Sequence, residues 1–207
     1  MNKTSLFAVA SVGVAALAGV AAWNFLQPGT DRFAACSTSS VAGATIGGPF
    51  TLVDETGATV TEADVLTKPS LVYFGYTFCP DVCPTDSARN AEAIDLLAER
   101  GVDAQGVFIS IDPERDDVAR VREFTDFFHP RMIGLTGSPE QVSVVSKAYK
   151  TFYKKKDTGD EYYLMDHSTF TYLVLPKEGF VQFFRREDTP QGIADSLACF
   201  VDAAGQS

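Results

Sequence analysis

The sequence has 207 residues, 45% hydrophobic and 21% charged, and a formal net charge of −10 at pH 7. That supplies one well-packed domain but not two large ones. The acidic balance argues against nucleic acid as a partner and suits a soluble face that attracts cations or a basic protein patch.

Ser5 to Leu26 carries no charge and is long enough to span a bilayer as a helix. Lys3 precedes it and Trp23 sits near its far end, where membrane interfaces collect aromatics. The expectation is a cytoplasmic amino terminus over residues 1–4, a transmembrane anchor over 5–26 and the remainder outside. A cleaved signal peptide is the rival, but the apolar run is longer than a usual signal core. Residues 27–46 are rich in Gly, Ser, Ala and Thr and read as a linker. A single domain is expected over 47–207.

Within that domain, Phe50–Val53 and Ala58–Thr61 flank the turn signal Asp54-Glu-Thr-Gly57 and predict a hairpin. Thr61 is placed to cap a short helix through Leu66. Leu71 to Phe78 is an apolar, aromatic and β-branched run that predicts a central strand. It breaks at Cys79-Pro80, and a helix is predicted from Thr85 to Arg100, where Ala88, Ala91, Ile94, Leu97 and Ala98 keep helical spacing. A strand follows at Ala104–Ile111, a turn at Asp112–Asp116, a helix at Val118–Phe128 and a short strand at Met132–Leu135. Ser138 and Pro139 open the next helix, to about Tyr149. Lys150 to Glu161, with its Lys154-Lys155-Lys156 run, reads as a solvated loop. Tyr162–Met165 and Ser168–Leu175 read as strands with Asp166-His167 between them. Phe180–Arg185 is a strand and Pro190–Val201 a final helix. Strands alternating with helices imply an α/β domain with a parallel portion. The closing hairpin and helix, with two thiols after a central strand, suggest a thioredoxin-like fold with an N-terminal β-hairpin extension.

The chemistry gathers on Cys79 and Cys83, at the C-terminal end of that strand and the start of a helix. Ligand sites favour such positions, and a helix N-terminus favours thiolate. Two thiolates make either a soft metal site or a redox pair. The redox motif usually spaces its thiols C-x-x-C, whereas Pro80-Asp81-Val82 intervene here. The place where thioredoxin-like enzymes carry a proline beside the thiols falls on His167-Ser168-Thr169. A metal site needs a third ligand, and there are two histidines. His129 closes a helix, where a cation near the dipole explains it. His167 is the one the fold would bring to the Cys79 loop. Two sulfurs and an imidazole suit copper in either oxidation state, or zinc with a water. Asp166 is a candidate to orient His167. Asp81 reads as a loop carboxylate capping the next helix, and Met165 as core packing. Cys36 and Cys199 lie outside this cluster, and an oxidising compartment would let them bridge as a structural disulfide.

Tyr73-Phe-Gly-Tyr-Thr-Phe-Cys79-Pro-Asp-Val-Cys83-Pro, then Ile109-Ser-Ile-Asp-Pro-Glu-Arg-Asp116, then Asp166-His167-Ser168 closely resemble the Sco/SenC family. The similarity covers about Gly47 to Ala203, together with the single membrane anchor. The resemblance implies a membrane-anchored, thioredoxin-like copper protein, with Cys79, Cys83 and His167 binding Cu(I) or Cu(II). It implies service to the dinuclear copper centre of cytochrome c oxidase, whose copper-receiving subunit would be the partner. A thioredoxin-like reductant or another copper carrier would be further partners. The location would be the bacterial inner membrane with the domain in the periplasm, or the intermembrane-space side of the mitochondrial inner membrane. A copper chaperone requires all three residues. A thiol-disulfide oxidoreductase that keeps oxidase cysteines reduced requires Cys79 and Cys83 only. A redox or copper sensor is the third reading.

Overall fold

A computed structural model describes residues 32–37, 45–156 and 162–205. The chain divides into two compact units, Met1–Ala35 and Cys36–Ser207. The described part of the first is a turn in which the Arg32 guanidinium lies 4.8 Å from the centre of the Phe33 ring. The expected anchor at Ser5–Leu26 lies outside the described residues. Among the described residues, no helix is long and apolar enough to cross a membrane.

The second unit holds nine strands and five helices among its described residues. In chain order these are β1 (Thr51–Asp54), β2 (Thr59–Thr61), α1 (Glu62–Val65), β3 (Ser70–Gly75), α2 (Val82–Glu99) and β4 (Gln105–Ser110). There follow α3 (Val118–Phe128), β5 (Met132–Thr136), α4 (Pro139–Ala148), β6 (Tyr153–Lys156), β7 (Leu164–His167), β8 (Thr171–Leu175), β9 (Gly179–Phe184) and α5 (Pro190–Ala204). Seven strands form one mixed sheet in the order β2-β1-β5-β4-β3-β8-β9, and β6 and β7 form a ribbon of their own. β3 runs parallel to β4 and antiparallel to β8, and β4 runs parallel to β5. The α/β class and its parallel portion follow from the expected alternation of strands and helices.

Every residue of β3 and β4 is buried, as expected for strands covered on both faces. The core around them is aromatic. Phe74, Tyr149 and Tyr172 pack pairwise, tilted or edge-on, at 5.3, 5.4 and 5.9 Å between ring centres. Helix starts are set by local chemistry. Ser138 Oγ accepts the Gln141 amide at 3.3 Å and Thr189 Oγ1 accepts that of Gly192 at 3.1 Å, each offsetting an unpaired first-turn donor.

Three expectations change. The helix expected from Thr85 begins at Val82, because Pro84 falls in its first turn, where a missing amide costs nothing. The polar stretch expected to be a loop contains β6, whose residues pair with β7 from Tyr153↔His167 to Lys156↔Leu164. Cross-strand partners override composition there: Lys156 Nζ meets Asp166 at 2.8 Å. His167, expected between two strands, is therefore the last residue of one.

A disulfide joins Cys36 to Cys199 in α5, with Cα atoms 5.6 Å apart and a sequence separation of 163. Loop closure of that length removes unfolded-state entropy worth about 5 kcal/mol in the chain-entropy model. Replacing both cysteines with Ser should lower the unfolding free energy toward that extent in denaturant titration. An unchanged midpoint would show that the bridge constrains neither state.

Candidate metal centre

β3 delivers the chain to the site and stops at Gly75. A Cβ at Gly75 would lie 2.9 Å from the Tyr73 and Phe108 rings and 3.0 Å from Cys83 Sγ. Only a glycine lets the first turn of α2 fold down onto the strand end. The next residues are pinned by a buried carboxylate. Asp116 accepts the Thr77 amide at 3.0 Å, the Thr77 hydroxyl at 2.6 Å and the Ser110 hydroxyl at 2.6 Å. Burial still pushes its carboxyl above the usual range, against the pull of Ser110 and Thr77.

Cys79 and Cys83 are both reduced and buried, Cys79 at 9% exposure and Cys83 at 0%. Cys79 Sγ accepts the backbone amide of Cys83 at 3.2 Å. That amide is one of the unpaired donors of α2, so the sulfur does the capping expected of Asp81, which makes no side-chain capping bond. A hydrogen bond from the Cys83 side chain, with the neighbouring His167 side chain and hydrogen bonds from the amides of Cys83 and Asp81, draws the Cys79 thiol down to about 3 against the opposing effect of burial. Burial pushes Cys83 the other way, reinforced by the neighbouring Cys79 charge. One thiolate and one thiol therefore share the site, with Cys79 as the anionic and more accessible member.

His167 arrives on the ribbon. Its Nδ1 lies 2.8 Å from the Ser168 carbonyl, which can only accept, so Nδ1 carries the proton. Nε2 is left with its lone pair 3.4 Å from Cys83 Sγ. Edge-on contacts with Tyr73 and Tyr76, at 6.4 and 5.8 Å, hold the ring. The donor atoms of Cys79, Cys83 and His167 lie within 4.8 Å of one another. Two donors sharing one metal at bonds of about 2.0–2.3 Å stand 3–4 Å apart, so small movements would let one soft ion meet all three. Among the described residues this is the one such His, Cys or carboxylate group.

Other expected participants lie elsewhere. Asp166, a candidate to orient His167, is half-exposed and pairs with Lys156; the Ser168 carbonyl takes the role. Strand alternation explains this, since neighbouring residues point to opposite faces. Met165 packs against the core. His129 accepts the Arg131 amide at Nδ1, 2.9 Å, and faces Asp95 through Nε2 at 3.1 Å. With Nδ1 an acceptor, a neutral ring satisfies both contacts and no helix-end cation is required. Residues without a role in the sequence reading surround the site. Tyr73 donates to the buried Asp86 at 3.1 Å, and Arg115 lies 3.5 Å from the centre of the Tyr163 ring. The Asp112–Asp116 segment was legible as a motif, but nothing in its spacing disclosed these contacts.

A family model described as SCO1/SenC matches residues 38–202. The chain belongs to the SCO1/SenC family. Protein SenC of Rhodobacter capsulatus is 56% identical over 204 residues, which covers 98% of this chain and 92% of that protein. The copper-bound structure of Arabidopsis thaliana ScoI matches with a TM-score of 0.71 and 43% identity, over 78% of this chain and 99% of that one. Copper-bound ScoI of Bradyrhizobium japonicum gives a TM-score of 0.67 and 38% identity, over 74% and 98% respectively. The fold is the thioredoxin-like α/β fold of this SCO1/SenC family.

The thiol pair makes a measurable asymmetry. Alkylation of the reduced protein should proceed at Cys79 with a rate that stays flat on acidification until the pH nears about 3. Below that value protonation of the thiolate should slow it. Cys83→Ala removes the largest cause of the shift, so the midpoint should rise toward the ordinary thiol range. Peptide mapping of the labelled product checks both.

Proposed function

We propose that this chain is a copper-binding assembly protein that carries copper to the dinuclear copper centre of cytochrome c oxidase. Cys79, Cys83 and His167 would hold the ion. The supporting observation is the convergence of two sulfurs and a correctly tautomerised imidazole within 4.8 Å. Sulfur and imidazole are the soft and borderline donors that copper prefers. The buried setting excludes competing water, and the copper-bound relatives add weight. In this reading copper is cargo. Ser5–Leu26 would anchor the domain in the membrane, facing the periplasm or the intermembrane space, and the copper-receiving oxidase subunit would be the partner.

One observation favours a companion activity. Cys79 combines a low thiol pKa with the greater exposure of the pair, the profile of an attacking thiolate in disulfide exchange. Reduction of oxidase cysteines would then use Cys79 and Cys83 without His167. The two activities fit one sequence of events, because a receiving thiol pair must be reduced before copper enters.

Titration of the purified chain should give one copper per molecule, with thiolate-to-Cu(II) charge-transfer absorption. His167→Ala removes a direct donor and should cost more than the 10–100-fold typical of an outer partner, while disulfide exchange stays near the wild-type rate. Affinity should fall on acidification, since protons compete for the same donor atoms. Copper uptake equal in wild type and His167→Ala, with full oxidase activity in cells holding only that variant at limiting copper, would favour the reductase reading.

A further inference from the structure

The imidazole and the thiols sit on separate pieces of structure. Cys79 and Cys83 belong to the junction of β3 and α2, whereas His167 ends the β6–β7 ribbon, which has no strand pairing to the seven-stranded sheet. The ribbon joins that sheet through the short connection from His167 to Thr171 of β8, which pairs with Tyr73 of β3. Side chains have to settle the rest of the distance.

Arg115 is placed to do so. Its guanidinium centre lies 3.5 Å from the ring centre of Tyr163, 4.8 Å from that of Phe78 and 5.8 Å from that of Tyr76. Tyr163 leads directly into β7 and His167. Tyr76 and Phe78 belong to the loop that ends at Cys79, and the Tyr76 ring also packs edge-on against His167 at 5.8 Å. Asp112 fixes the cation and the ring together. It accepts Arg115 Nε at 2.6 Å through one oxygen and the Tyr163 hydroxyl at 2.7 Å through the other. The Arg115 side chain is 15% exposed, and its Nη2 is buried without a hydrogen-bond partner among the described residues. Ring faces occupy the space where an acceptor would sit. A planar guanidinium can stack on several rings while bonding a carboxylate in its plane, whereas an ammonium cannot. Lys155 also lies over Tyr163, at 3.8 Å, but it is half-exposed and paired with Glu114.

We propose that Arg115 is a positioning residue for copper, clasping the ribbon that carries His167 to the loop that carries Cys79 and so fixing the imidazole-to-thiol distance. The proposal rests on the reading of Cys79, Cys83 and His167 as copper ligands.

The test uses the full chain and copper itself. Arg115→Met keeps much of the apolar stem and removes the guanidinium. Tyr163→Phe keeps the ring and removes its hydroxyl bonds to Asp112 and, at 3.4 Å, Glu114, so it serves if Arg115→Met does not fold. Each variant should still bind one copper through the thiols. Affinity should drop about 10–100-fold, the cost typical of partners that orient a ligand. The imidazole nitrogen coupling in the Cu(II) electron paramagnetic resonance spectrum should weaken, while Cys79 alkylation keeps its wild-type rate. In a His167→Ala background the same substitution should cost little further affinity, because a residue that acts through His167 has nothing left to position. An unchanged affinity and spectrum in the folded variant overturns the proposal, as does an equal loss with or without His167. A wild type whose copper binding ignores His167→Ala overturns the ligand reading and this proposal together. A normal His167 effect with a silent Arg115 overturns this proposal alone.

Discussion

The Cys79 sulfur, by accepting the amide of Cys83, sets where α2 begins. The first turn of any helix has donors with no partner inside the helix, and here Cys79 Sγ takes one of them. The bond stabilises the helix start and the charge on the sulfur together. It also accounts for the spacing of the two cysteines, since the residue four positions later presents both its amide and its side chain to the same sulfur. Gly75 is the counterpart of that arrangement: the strand end has to be bare for Cys83 to lie against it. Strand, glycine, thiolate and helix therefore form one unit, and the rest of the sheet keeps it buried.

The two halves of the centre are built to different standards of rigidity. The thiol half stands on strands buried at every position and on a loop tied down by Asp116. The imidazole half stands on a two-stranded ribbon held by side chains and by local bonds such as that from the Ser168 amide to the Phe152 carbonyl at 2.9 Å. Two-stranded ribbons are weakly stable alone. If copper is cargo, as proposed, the site gains from such an inequality, because one ligand can withdraw without unfolding the others' support.

Much of this was legible in the sequence, for reasons that differ by element. Leu71–Phe78 is a strongly apolar run, and Val118–Phe128 places Val121, Phe124 and Phe128 at helical spacing, so the sheet and most helices were read within a few residues. The cysteine pair and His167 stood out because few residue types bind soft metals. β6 was missed because its Tyr-Lys-Lys-Lys run has no apolar alternation; it is a strand through its pairing with β7, information held elsewhere in the chain. Asp166 was misassigned because adjacency in sequence places it on the opposite side of a strand from His167. Arg115 gave no signal, since a cation among charged neighbours becomes distinctive only when three rings from distant segments close around it.

The bridge between Cys36 and Cys199 has a mechanical consequence. Cys36 precedes every strand of the domain, and Cys199 lies well inside the last helix. Tension arriving along the chain from the amino-terminal side therefore passes covalently into α5 before it reaches β1. α5 packs along α2, so the pull is spread over a helical layer instead of peeling the β1–β2 hairpin from the sheet edge strand by strand. Any pull on the chain from the amino-terminal side would in this way grip the domain through its last helix.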